Sequence, residues 1–258
     1  MDYPKTSVKK SEGERRNDMN MKECIQIFLL LITPLIISCE SKIDKAIPDS
    51  MLIGAVPNIN VDIKEDNYKG GKAIIVTGIV PFGIKREQVK PSLLRILKTV
   101  AEKYPNATGI FVRLTPDADL GRYAYFAGRA DYEDKSIALY YMIPSDKQIE
   151  DWNAEIGKPS KNPFTGDEYI IDVPHLSPLN EESFESGKKI ALLYHKFNKK
   201  LHDKYIEQPL KTISSKQIYQ MISREANMPQ KDVEYYYRFM NSYFIVGESW
   251  DKETINLQ

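Results

Sequence analysis

Apolar positions in this chain follow three regimes. From Ile27 to Ile37 they run almost unbroken, interrupted only by Thr33 and Pro34. Between residues 72 and 143, short β-branched runs surround one helical pattern. From residue 181 onward the spacing is helical. Lys72–Val80 (KAIIVTGIV) is bounded by Gly71 and Pro81 and predicts a strand. Val89, Leu93, Ile96, Leu97, Val100 and Tyr104 then recur at the spacing of one helix face, predicting an amphipathic helix over 86–104. Because a proline is tolerated only near a helix start, Pro91 allows that start to slip as late as Lys90. Thr108–Leu114 predicts a second strand, the alternating Arg122–Ala130 a third and Ser136–Ile143 a fourth, the last two joined as a hairpin by a charged turn at 131–135.

The order strand, helix, strand, strand, strand predicts an α+β fold: a small, mostly antiparallel sheet with one packed helix, then a helical C-terminal part. The expected core includes Ile75, Leu93, Ile96, Leu97, Phe111 and Leu139. Residues 40–71 carry little periodicity and several breakers, so they read as a tether with a short strand near Ile59–Ile63. Pro144–Pro178 reads as a proline-rich linker or loop with a strand over Tyr169–Val173. Helices are expected over 181–206, over 214–226 with a serine cap, and over 230–244.

The first apolar run is 11 residues long. Spanning a bilayer takes about 20 apolar residues, whereas the central region of a signal peptide takes about 7–15. The run ends in Ile36-Ile37-Ser38-Cys39, with Lys22 on its N-terminal side. This pattern resembles the lipobox signal of bacterial lipoproteins. The resemblance covers Met21–Cys39 and implies cleavage before Cys39 and acyl chains, palmitate among them, on Cys39. It implies a lipid-anchored protein of the bacterial cell envelope. The polar first 20 residues depart from the pattern, as a misassigned start or a long leading region. The organisation expected is a signal peptide over 1–38, a lipid-anchored tether over 39–71, an α+β core over 72–144, a linker over 145–178 and a helical part over 179–258. The strand–helix–strand–strand arrangement, the 117–121 loop and the two-helix tail resemble uncharacterised extracytoplasmic lipoproteins in shape alone.

Composition narrows the chemistry. Lys and Arg number 36 against 36 Asp and Glu, so no global field selects nucleic acid as a partner. Cys24 and Cys39 are the two cysteines, and none follows Cys39. A disulfide framework, a cysteine nucleophile and a zinc–thiolate site are thereby excluded for the folded part. The pair of helices after Ser214 looks like a helix-turn-helix. Its second helix devotes Val233, Tyr236, Tyr237, Met240 and Phe244 to helical spacing and carries only Lys231 and Arg238 as cations, so packing is expected and nucleic-acid binding is not.

Lys188, Lys189, Lys196, Lys199, Lys200 and Lys204 fall on one helix, a candidate for anionic phospholipid and otherwise a solvated face. His195 and His202 are seven apart, unlike the short spacing of helical metal sites, and His175 lies in the proline-rich stretch. Asp117, Asp119 and Gly121 begin like a calcium loop without its later ligands, and a tight turn is expected there. No metal or cofactor is expected, and no catalytic residue is assigned. Asp131, Glu133 and Asp134 are carboxylates that the sequence cannot pair at catalytic distance. Two functions stay open. One is an envelope lipoprotein that binds a protein partner or serves a structural role. The alternative is an envelope hydrolase acting on cell-wall glycan through paired carboxylates.

Overall fold

The structure is a computed structural model, and it describes residue 43 and residues 46–205, 214–245 and 249–257. These lie in one compact unit, Ser41–Gln258. Cys24 and Cys39 lie outside the described residues.

The protein is α+β, as its periodicities predict. Strand β1 (Asn60–Tyr68) pairs antiparallel with β2 (Gly71–Ile79), and helix α1 (Arg86–Lys103) crosses to β3 (Gly109–Thr115), which lies parallel to β2. A short helix, α2 (Ala118–Gly121), precedes β4 (Gly128–Glu133) and β5 (Ser136–Tyr141). Helix α3 (Asp146–Glu155) and a small hairpin, β6 (Pro159–Lys161) with β7 (Glu168–Ile170), follow. Then come α4 (Glu181–Tyr205), α5 (Ser215–Ala226), α6 (Gln230–Phe244) and a last strand, β8 (Asp251–Asn256). The main sheet has six strands in the order β1-β2-β3-β4-β5-β8, and only the β2–β3 contact is parallel.

Alternation in the strands sets the core. Ile74, Val76, Ile110, Val112, Leu114, Ala130, Ile137 and Leu139 are buried beneath α1, which contributes Val89, Leu93, Leu94, Ile96, Leu97 and Val100. Ile75 and Phe111, expected in this core, are instead half-buried. Their β-branched and aromatic runs carry apolar residues on both faces, so period two leaves the phase undecided. Helix α1 begins at Arg86, ahead of Pro91, and the Gln88 side chain accepts from the Lys85 backbone N–H at 3.1 Å. The β4–β5 hairpin turns through Asp134 and Lys135, both left-handed, which suits the twist of the flanking strands.

Four expectations change. Residues 46–71 are ordered structure in place of a loose tether: Ile47 and Val56 are buried, a 3-10 turn at Asp49–Leu52 lies on α1, and β1 is nine residues long. Buried Ser92 accepts the Val56 N–H at 2.9 Å, which ties this stretch to α1. The third strand spans 128–133, because Ala118–Gly121 is helical and Ala124 is left-handed. The stretch expected as a linker holds α3, whose Ser145 N-cap accepts from Gln148 N–H at 3.3 Å, and a short hairpin with its second strand at 168–170. The C-terminal part ends in a strand, β8, paired with β5 through register Tyr141↔Asp251 to Ser136↔Asn256.

Helices α5 and α6 have the limits expected, with Ser214 capping α5 and Asn227 in the left-handed conformation at its end. Ile190, Phe197, Ile218, Tyr219, Ile222 and Val233 form a second apolar cluster among α4, α5 and α6. Phe239, Met240 and Phe244 join the main core instead. Val233, Met240 and Phe244 are therefore buried, as a packing stripe requires, while Tyr236 and Tyr237 are half-buried. Among the described residues no helix is long and apolar enough to cross a membrane.

Candidate functional site

A groove of about 1070 Å³ lies between the start of α1, the end of β5, α3 and β8. Its apolar wall includes Met51, Ile84, Pro91, Ile143, Ile149 and Tyr243, with Ile53, 79% exposed, contributing to the lining. Its charged side is built by two periodicities. Arg86 and Lys90 are one helical turn apart on α1, and Asp251 and Glu253 are alternate residues of β8.

These groups pair. Arg86 bonds Asp251 and donates to the Ile143 carbonyl at 2.7 Å, while its guanidinium lies 4.4 Å from the Tyr141 ring centre. Lys90 meets Glu253 at 2.5 Å, and the Tyr141 hydroxyl donates to the other Glu253 oxygen at 3.0 Å. Gln148 donates to Asp251 at 3.1 Å. The Lys90 bond, reinforced by that of Tyr141, holds the Glu253 carboxyl below its ordinary range against a smaller opposing effect of burial. Burial and the bond to Glu253 push the Tyr141 hydroxyl up to about 12. At neutral pH the Glu253 carboxylate is thus ionised and the Tyr141 phenol protonated. A carboxylate held ionised by an ammonium is a poor proton donor. This arrangement suits recognition through charge and apolar contact.

The residues singled out in the sequence are dispersed. Asp117 caps α2 by accepting from the N–H groups of Asp119 and Leu120, and it binds Lys188 of α4 at 2.7 Å. The turn expected there is a cap and a tie between two elements. Lys196 pairs with Glu225 at 2.8 Å, and Lys189, Lys199 and Lys200 are exposed. His175 and His202 are exposed, whereas His195 is half-buried and stacked on Tyr123, ring centres 4.0 Å apart. Burial lowers the His195 pKa, and its Nε2 has no hydrogen-bond partner among the described residues. Glu133 accepts from the Tyr68 hydroxyl at 2.8 Å and from Lys69 at 3.2 Å, and Asp131 binds Arg129 at 3.0 Å. Among the described residues no three His, Cys, Asp or Glu are grouped to hold a metal ion.

The groove residues carried no local motif, because Arg86 and Asp251 are brought together only by the β5–β8 pairing. Helical spacing of Arg86 and Lys90, and alternation of Asp251 and Glu253, were the available signals. No protein-family model, curated protein or solved structure matches the chain.

Proposed function

We propose that the protein is a lipid-anchored lipoprotein of the bacterial cell envelope, holding a binding module close to a membrane. The observation that carries this is the sequence Ile36-Ile37-Ser38-Cys39 after an apolar run too short to span a bilayer. A buried residue, Ile43, comes four positions after Cys39. At about 3.3–3.6 Å per extended residue, a lipid on Cys39 would keep Ile43 within about 14 Å of its attachment point. Several acyl chains, each contributing about 0.8 kcal/mol per buried CH₂, give stable attachment where one is marginal.

The groove supports binding over hydrolysis. A glycoside hydrolase needs one carboxyl kept protonated beside a second that is ionised. Of the four carboxylates lining the groove, Glu253 is held ionised by Lys90 and Tyr141, Asp251 is bonded to Arg86 and Gln148, and Glu87 and Asp146 are exposed. Such a floor, flanked by an apolar wall and exposed Ile53, fits a partner segment with both apolar and charged groups.

Expression of the full chain in bacteria with labelled palmitate tests the anchor. Label should enter the wild type and be absent from Cys39→Ser. Absence of label in the wild type, or equal label in the variant, would overturn the reading.

A further inference from the structure

The face of the sheet opposite the α1 core carries an arrangement that the groove does not use. In register across it run Asp62, Thr77, Arg113, Arg129, Tyr140 and Lys252. Arg113 and Arg129 are direct partners on antiparallel strands. Like charges placed opposite each other destabilise a strand pair. Fold stability alone therefore does not select this pair.

The charges are incompletely answered. Asp131 binds Arg129 at 3.0 Å and also acts electrostatically on Arg113. One carboxylate between two guanidiniums leaves a positive charge uncompensated, whichever arginine holds it. Lys252 adds another, and Asp62, at the far end of the row, is engaged by Lys64 at 3.6 Å. Arg113 makes no hydrogen bond or ion pair with any described residue, and among the described residues Nε of both arginines and Oδ1 of Asp131 are shielded from solvent without a hydrogen-bond partner. A shielded donor without a partner costs free energy until an acceptor arrives.

Aromatic rings hold the cations in place. The Arg129 guanidinium lies 4.2 Å from the Tyr140 ring centre, with the Lys252 ammonium 5.2 Å from the same ring. Arg113 lies 5.5 Å from the ring centre of Phe126. A guanidinium held against a ring loses little further freedom on binding and keeps its edge donors for a ligand. The planar fork of arginine matches carboxylate and phosphate oxygens, which accept two parallel N–H bonds.

We propose that Arg113 and Arg129, supported by Lys252, form a binding site for an oxyanion: a phosphate or carboxylate group of a small multivalent anion. The bound oxyanion supplies the acceptors that Arg113 lacks and offsets the repulsion within the arginine pair. Asp131 competes with it for the same donors. Arg113 and Arg129 do not line the groove, and Lys252 borders both it and this site; the site stands whether or not Cys39 carries lipid.

The test uses the full chain in detergent micelles at low ionic strength. Calorimetric titration is run with inorganic phosphate, pyrophosphate and citrate, alongside the arginine Nε–H resonances in NMR. Saturable binding should shift the Nε–H signals of Arg113 and Arg129. Pyrophosphate binding without citrate identifies phosphate as the recognised group; the reverse identifies carboxylate. Arg113→Gln should weaken binding about tenfold or more by removing the fork. Arg113→Lys keeps the charge and should recover only part of it. Asp131→Asn should tighten binding several-fold by removing the competitor, whereas Lys189→Gln, a charge change on the exposed face of α4, should change nothing. Arg113→Gln should melt no lower than wild type, because it removes a like-charge contact. The proposal is overturned if none of the three anions binds saturably, if Arg113→Gln and Asp131→Asn both leave affinity unchanged, or if Lys189→Gln weakens binding as much as Arg113→Gln.

Discussion

Gly128 lies in β4 directly beneath α1, and replacing it with alanine probes how tightly helix and sheet are fitted. A Cβ at this position would overlap Val89 Cγ1, and it would approach Tyr140 O to 3.2 Å and Leu93 Cδ1 to 3.3 Å. Carbon atoms rest at about 3.5–4.0 Å, so the overlap with Val89 must be relieved by movement. Val89 is a β-branched residue in a helix, held to essentially one rotamer, and it is fully buried. The helix itself must therefore lift. Overpacking of this kind costs about 1–3 kcal/mol. Removing a strand glycine returns about 0.5–1 kcal/mol of backbone entropy. The net loss should be about 1–2 kcal/mol, and each kcal/mol lowers the melting temperature by about 2–4 °C in a domain of this size. Gly83, where a Cβ meets nothing within 4 Å, serves as control: Gly83→Ala should stay within about 0.5 kcal/mol of wild type. Urea unfolding by circular dichroism gives both values. The double variant Gly128→Ala/Val89→Ala should cost less than the sum of the two singles, because the second change makes room for the first. An unchanged midpoint for Gly128→Ala, or strict additivity in the double variant, would refute the packing described here.

Other expectations follow from the ion pairs and aromatic contacts. The folded-state pKa of Glu253 is depressed, so its stabilising contribution is present above its unfolded value and lost as pH falls through the folded one. Glu253→Gln should unfold at lower urea than wild type at pH 7, and the gap should close in acid; a constant gap would contradict the linkage. His195 is likewise depressed, by burial, so the fold favours its neutral form and loses stability as pH drops below about 6.5. His195→Phe should flatten the stability profile on that acid side, and parallel profiles would argue against a buried neutral imidazole. Ending the chain at Trp250 removes β8, its six-residue pairing with β5 and buried Leu257. Full burial of one leucine contributes about 1.5–3 kcal/mol, so a loss of several kcal/mol in all is expected in thermal melts. A truncated chain that melts like the full one would show that β8 is dispensable.

The fold class was legible because its elements are strongly periodic. Helix α1 repeats its apolar face over 18 residues, and α6 carries a stripe from Val233 to Phe244. Residues 46–58 were not legible, because Ile47 and Val56 are isolated apolar positions whose burial depends on Ser92 and Lys98 of a distant helix. Strand β8 was hidden for a similar reason: it falls in the stretch expected to be helical, and Asp251, Lys252 and Glu253 show no apolar pattern that would mark a strand until Arg86, Lys90 and Tyr141 stand beside them. The phase of β2 and β3 was also ambiguous. Ile74 and Ile75 are chemically identical neighbours, and only α1 decides which one is buried. The row of cations on the face opposite α1 is a property of register across strands, and registers are set by tertiary pairing.

Because β5 closes against β8, residues 136 and 256 become neighbours although 119 residues separate them. Loop closure over such a distance costs entropy before any contact repays it. During synthesis, β2, α1, β3, β4 and β5 can assemble while β8 is still inside the ribosome. In that interval β5 has one unpaired edge, and the partners of Arg86 and Lys90 have yet to arrive. An unpaired edge invites pairing with another chain. A growing chain would therefore be most prone to association just before β8 emerges, and the arrival of Asp251 and Glu253 both neutralises two cations and closes the sheet in one step.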